Sequence, residues 1–291
     1  MIVNSKYSSL YFGEKANWKT DFDADVCSIQ RYAVGELMRI QFTGSALGYT
    51  AKYISNLGIE TLVPVANIYT DNVSSESIFE ILFSISSTGL YCLQISEGNK
   101  SALSYFKVEE EDELKNTILL TYSHRRNEHD TIFVNQDESS NYFNFRVEGG
   151  FFPAEKTQAI DNEYFRDQRF VVHHMSAQAH EVSVLTIGDT KGVPQWVGSR
   201  INHIFSISDV QVDGIETKRS EGATVEIIEL GKYYPLLVFK LKVEQSDDEV
   251  LTLVDVEEEG GGGGGGDDDN LLLSNDSTPI LTNDSTNIIL K

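Results

Sequence analysis

Basic side chains are scarce in this sequence. Its 23 Lys and Arg stand against 45 Asp and Glu, a formal net charge of −22 over 291 residues. Nucleic-acid binding draws on cationic side chains that displace counterions from phosphates, so the balance argues against a nucleic-acid partner. It argues equally against an anionic membrane surface. An acidic exterior instead keeps a chain soluble and repels DNA. Cysteine is nearly missing. Cys27 and Cys92 are too few for a disulfide framework, and both lie in strand-like segments as expected for buried free thiols. Proline occurs only five times, and low complexity is confined to the C-terminal end. No apolar run approaches the ~18 residues of a membrane-spanning helix. The N-terminal stretch MIVNSKYSSLYFGEK lacks the basic start, apolar core and small-residue cleavage site of a signal peptide, so synthesis in a bacterial host cytoplasm is the expectation.

What is present is apolar, aromatic and strand-like. Hydrophobic residues make up 40% and aromatics 10%, enough for sizeable cores in one large or two ordinary domains. Short segments rich in Val, Ile, Phe, Tyr and Thr recur between turn residues. In IFEILFSISSTGLYCLQISEG, Phe79, Ile81, Phe83 and Ile85 alternate, and so do Tyr91, Leu93 and Ile95. Period-two spacing places each set on one strand face. Residues 86–89, Ser-Ser-Thr-Gly, suit a tight turn, so the stretch predicts a hairpin. VCSIQRYAV, LMRIQFTG, YTAKYI, ETLVPVANIY and SYFKVEE supply further strands, with Pro64 marking an edge or bulge. Residues 1–110 are thus expected to form an antiparallel β-sandwich of immunoglobulin or jelly-roll type.

The acidic run EEEDELKN at 109–116 marks a domain boundary, and residues 115–246 read as a second β-sandwich-type domain with one packed helix. NTILLTYS and NYFNFRVEGGFF are strands, the latter ending at Gly149-Gly150. PAEKTQAIDNEYFRDQ is polar and reads as an excursion or short helical turn. RFVVHHM and EVSVLTIG are two strands separated by SAQA. VPQWVGSRINHIFS predicts a helix over 194–205. Pro194 suits its first position, and Val197, Ile201 and Ile204 form an apolar stripe. Gly198 permits close packing on a sheet. Asp213-Gly214, flanked by alternating Val210 and Val212, predicts a type I′ hairpin over 209–218. ATVEIIEL and LLVFKLKVEQ complete the domain.

No catalytic or metal constellation stands out, and neither cofactor nor metal is expected. Asp21, Asp23 and Asp25 in DFDADV imitate the start of a calcium loop, but the sixth and twelfth positions are Val26 and Tyr32 rather than Gly and Glu. His173 and His174 are strand neighbours and point to opposite faces, with His180 across SAQA, so they do not converge as zinc ligands must. GSALG at 44–48 is not a nucleophile elbow. The glycine run lacks the Lys-Ser or Lys-Thr of a phosphate loop. A hydrolase would need convergent carboxylates that the sequence does not single out. Carbohydrate binding is a further reading, with Trp18, Tyr49 and Tyr53 as candidate platforms for sugar rings.

Two stretches are more distinctive: NYFNFRVEGGFFP…NEYFRDQ at 141–168, and EVSVLTIGDTKGVPQWVGSRINHIFSISDVQVDG…RSEGA at 181–223. As an ordered series they resemble a family of virion structural proteins in tailed phages and prophages of gut Bacteroidetes. The resemblance is strongest over 115–245. It implies a tail-region protein without catalytic residues, located in the virion. A β-sandwich with a flanking helix and projecting hairpin is also the plan of tail-tube and distal-tail ring proteins, which implies a ring-type homo-oligomer, such as a hexamer, and other tail proteins as partners. The VDG hairpin or the FRVEGG segment would then make subunit contacts. The expected function is a non-enzymatic component of a phage tail, at the distal tail, baseplate or tail-tip ring. A carbohydrate- or receptor-binding virion module, with a glycan receptor as partner, is the alternative.

The C-terminal end is a separate matter. Residues 247–270 form an acidic linker containing Gly260–Gly266, and 271–291 carry an eight-residue repeat. LLSNDSTP at 272–279 matches ILTNDSTN at 280–287, and IILK begins a third copy. Each unit is a short apolar strand followed by turn-prone residues. Alone, the repeat is expected to be disordered or a marginal hairpin. The linker's last ~14 residues, Glu257 to Asn270, have an end-to-end spread of about 20 Å, which suits strand addition to a partner's sheet edge. The candidate partner contacts are therefore Asp213 and Gly214 in the hairpin, and Leu272, Leu273, Ile280, Leu281, Ile288 and Ile289 in the repeat.

Overall fold

The structure is a computed structural model and describes residues 3–12, 29–45, 48–71, 76–128, 130–134, 142–166, 168–188, 191–231, 236–245, 272–273 and 279–280. The chain divides into two compact units, Met1–Ser246 and Asp247–Lys291. The first is mainly β. In chain order its strands begin with β1 (Val3–Asn4), β2 (Gln30–Ala33), β3 (Met38–Gly44), β4 (Thr50–Ser55), β5 (Glu60–Val63), β6 (Ala66–Thr70), β7 (Ser77–Phe83), β8 (Gly89–Glu97) and β9 (Lys100–Glu109). After a 3-10 turn at Glu111–Leu114 come β10 (Thr117–Ser123), β11 (Phe143–Phe151), β12 (Thr157–Arg166), β13 (Val172–Ile187) and helix α1 (Gln195–Ile204). β14 (Asp209–Val212), β15 (Ile215–Arg219), β16 (Glu226–Glu229) and β17 (Leu237–Gln245) follow.

The first nine strands form two sheets over one apolar core. One has the order β1-β3-β7-β6 and the other β2-β9-β8-β4-β5. Ile40, Phe42, Phe79 and Ile81 from the first meet Tyr91, Leu93, Ile95 and Phe106 from the second. The alternating residues of 79–95 are buried as their spacing predicts. The hairpin expected there does not form. β7 pairs with β3 and β6, whereas β8 pairs with β4 and β9. Residues 84–88 therefore cross from one sheet to the other. Alternation fixes which face is buried but not which strand lies alongside. ETLVPVANIY is likewise two strands in two different sheets. Pro64 has no N–H to give to a ladder, and β5 and β6 end as edge strands on either side of it. One pairing, β2 with β9, is parallel, a departure from the all-antiparallel expectation.

The remaining strands close on themselves. The pairings run β13-β11-β10-β14-β15-β17 and return from β17 to β13. This barrel of antiparallel strands encloses Leu120, Tyr122, Phe145, Leu185, Val212 and Leu241, where the sequence pointed to stacked sheets. α1 adds Val197, Ile201 and Ile204 to the same core. Pro194 sits just ahead of the helix as its extended N-cap rather than inside its first turn. Gly198 lies so close to Phe239 that an added Cβ would stand 2.2 Å from the ring. Asp213 (φ 50°) and Gly214 (φ 83°) make the expected two-residue turn between β14 and β15.

Two further departures matter for function. Gly149-Gly150 does not end β11, which runs on to Phe151 and pairs with β13. A Cβ on Gly149 (φ 154°) would lie 2.3 Å from the Thr186 carbonyl oxygen, so only glycine lets the two backbones approach here. RFVVHHM and EVSVLTIG are not two strands but one, β13, and the polar segment before them holds its partner β12. In the second unit β18 (Leu272–Leu273) pairs with β19 (Pro279–Ile280), Leu272 opposite Ile280. Those two residues occupy equivalent places in successive repeat copies.

Candidate interaction surfaces

β12 and β13 build an arm. Val182–Ile187 of β13 pairs with β17 and belongs to the barrel. Among the described strands, Val172–Glu181 pairs with β12 alone. Two-stranded ribbons have little stability of their own in water. Near the tip Phe165 is 57% exposed, Phe170 78%, and Val171 and Val172 about half. Phe170 also has φ 63°, a left-handed conformation that a bulky side chain rarely adopts. Strain of that kind concentrates where a segment binds or switches. The sequence reading missed this arm. β12 reads TQAIDNEYFR and shows no regular apolar alternation. The available signal was the pair of aromatics, Phe165 and Phe170, flanking a polar turn.

The candidate contacts from the sequence fall differently. Asp213 and Gly214 are exposed, but their turn is held down. Leu119 N–H donates to Asp213 Oδ1 at 2.8 Å, and Asp213 N–H donates to Leu119 O at 2.9 Å. The turn is thus a short, fixed corner of the barrel. Leu272, Leu273 and Ile280 lie in the β18–β19 pair of the second unit, while Leu281, Ile288 and Ile289 lie outside the described residues. Of the proposed sugar platforms, Tyr49 is buried against Phe42 and Phe79, and Tyr53 is half-buried and stacked on Phe83. Trp18 is outside the described residues, as are Asp21, Asp23, Asp25 and Cys27. Cys92 is a free, half-buried thiol.

His173, His174 and His180 lie along the single strand β13, with no intervening turn. Strand rise separates His173 from His180 by roughly 23 Å. Among the described residues no cluster of His, Cys, Asp and Glu is placed to hold a metal ion, and no helix is long and apolar enough to cross a membrane.

The two cores of the first unit are joined by buried and part-buried polar contacts. Arg31 pairs with Glu109 and with Glu148 (3.2 Å), and donates to Glu113 O. Burial works against the Glu109 carboxylate, but hydrogen bonds from Arg31 and Lys107 outweigh it and hold its pKa below the usual value. Arg146 pairs with Glu36 at 3.1 Å. Arg39, 5% exposed, pairs with Glu80 at 2.6 Å, donates to Ile132 O at 3.1 Å and lies 4.5 Å over the Phe143 ring. Gln41 exchanges two hydrogen bonds with the Ile132 backbone. The N-terminal segment also crosses over. Tyr7 packs on Phe133, and Tyr122 donates its hydroxyl to Tyr7 O. Burial pushes the pKa values of Tyr7, Tyr32 and Tyr122 upward and that of Arg200 down to about 10. All four side chains are buried.

Comparison with known proteins adds no assignment: no protein-family model matches the chain, and no curated protein matches it.

Proposed function

We propose that this chain is a non-enzymatic structural component of a phage tail, in the distal tail, baseplate or tail-tip ring, and that its copies assemble through the β12–β13 arm. The arm carries the reading. Among the described strands its outer part pairs only within itself, and it bears exposed aromatic and aliphatic side chains and holds Phe170 in a strained backbone conformation. A second copy that covered the tip would bury Phe165, Phe170, Val171 and Val172, and each large apolar side chain contributes about 1.5–3 kcal/mol when fully buried.

Two further observations support it. The N-terminal strands form two sheets over one core, a sandwich-like arrangement, and a barrel with a packed helix and a protruding arm follows. The plan implied by the resemblance, a β-sandwich with one flanking helix and a projecting hairpin, is compatible with this mainly-β architecture and its single packed helix, an analogy at the level of fold. The net charge of −22 suits a channel through which DNA passes without binding, since like charge repels the phosphate backbone. The virion is then the site of action, with synthesis in the bacterial host.

Analytical ultracentrifugation of the purified chain, alone and co-expressed with its neighbouring tail proteins, tests the proposal. Closed oligomers are expected, and Phe165→Ser with Phe170→Ser should shift them toward monomer. A chain that stays monomeric under both conditions sinks the reading.

A further inference from the structure

The outer face of the β4-β8-β9 sheet carries a groove of about 600 Å³ that the assembly reading does not use. Its side chains come mostly from outward positions of three adjacent strands and the loops at their ends, with the core residue Tyr91 also reaching it. Tyr105 and Leu90 are each 40% exposed. Beside them lie Gln94, Ser101, Asn99 and Asn56. The Gln94 amide is already oriented. Its Nε2 donates to Ser101 Oγ at 3.0 Å and to Ser96 Oγ at 3.2 Å, which uses both donors and presents Oε1 as an acceptor.

The lining has no charged side chain among the described residues, in a chain where 23% of residues are charged. The nearby Lys52 is engaged by Glu60 at 2.7 Å. A groove without cations has nothing to hold a phosphate, sulfate or carboxylate. One without anions has nothing to hold an ammonium or metal ion. What remains is an aromatic face, aliphatic walls, and amides and hydroxyls that both donate and accept. Binding sites of this size combine apolar walls with a few placed polar groups. A pyranose matches that set, with C–H groups on its ring face and hydroxyls at its rim.

We propose that this groove binds a neutral oligosaccharide, with Tyr105 as the stacking platform and Gln94 as the hydrogen-bonding anchor. Cys92 lines the groove. Burial raises its pKa, only partly offset by a hydrogen bond with Tyr105, so it is a neutral thiol that alkylates slowly. It therefore reports occupancy. The site stands apart from the assembly reading: a chain that forms no oligomer still binds the sugar, and Tyr105→Ala still assembles.

The test is an array of neutral gluco-, manno-, galacto- and xylo-oligosaccharides beside sialylated and sulfated glycans, probed with the full chain. The best neutral probe is then titrated calorimetrically. Binding of at least one neutral oligosaccharide is expected. Tyr105→Ala should weaken it about tenfold, Tyr105→Phe by less than about threefold, and Gln94→Ala by about fivefold. In Cys27→Ser protein, saturating probe should slow alkylation of Cys92, a readout that leaves the groove unmutated. Absence of neutral binding, binding confined to acidic glycans, or affinity unchanged in folded Tyr105→Ala overturns the proposal. So does protection of Cys92 that grows with protein concentration without sugar, because that assigns the groove to a second copy.

Discussion

Arg39 shows how single side chains tie the two cores together. Its guanidinium reaches Glu80 on its own sheet, and Ile132 O and Phe143 on the other side of the junction. Truncation leaves Glu80 and the Ile132 carbonyl without that partner, and breaking a buried pair costs roughly 3–5 kcal/mol. Arg39→Ala should lower the urea midpoint accordingly, while Arg39→Met, which keeps the packing, should lose less. Gly198→Ala gains helix propensity, worth about 1 kcal/mol, but drives a methyl into the buried Phe239 ring. Overpacking costs up to about 3 kcal/mol, so a net loss of about 2 kcal/mol is expected in thermal or chemical denaturation. Tyr7, Tyr32 and Tyr122 give the fold an alkaline limit. Their pKa values are raised when folded and return to about 10 on unfolding. Their contribution is complete below about pH 10 and is lost as pH rises beyond it. Arg200, lowered to about 10, acts in the opposite direction over that range, one group against three. Urea denaturation from about pH 8 to about pH 11 should show falling stability, and an unchanged midpoint would contradict these assignments. At this scale the sequence was informative where spacing was strict. Val197, Ile201, Ile204, Gly198 and the Asp213-Gly214 turn occupy the places their pattern predicts. Arg39 and Tyr7 gave no signal, because their partners lie far away along the chain.

Elements were less legible than faces. Phe79, Ile81 and Phe83 announced a buried strand face, yet β7 and β8 went to different sheets. A connection of five residues, 84–88, is short enough for a hairpin and long enough to cross a core. β12 and the outer part of β13 were hidden for another reason. A ribbon outside the barrel core needs no apolar period, and period is the main sequence signal for strands. Gly149 is where the barrel closes, because its missing side chain admits the Thr186 carbonyl. Gly149→Ala should disrupt the β11–β13 pairing, and hydrogen exchange should show lost protection at Gly188, whose N–H donates to Glu148 O across it. Retained protection there would remove the closure argument. Phe165→Ser and Phe170→Ser, by contrast, should leave the circular-dichroism spectrum and midpoint unchanged, and Phe170→Gly should stabilise slightly by relieving the positive φ.

For the whole molecule, charge and tail are the sequence features with most to say about use. The repeat at 271–291 cannot bury a core, and its β18–β19 pair spans two residues per strand. Deleting 260–291 should leave the unfolding midpoint of the first unit unchanged and impair assembly; normal assembly by the truncated chain would remove the strand-addition role. The tail assignment itself is tested most directly by electron microscopy of the purified full-length chain. Class averages should show closed rings with a central channel, lost when Phe165 and Phe170 are both replaced by Ser. Particles of single-chain size at every concentration, or rings indifferent to the arm substitutions, would contradict it.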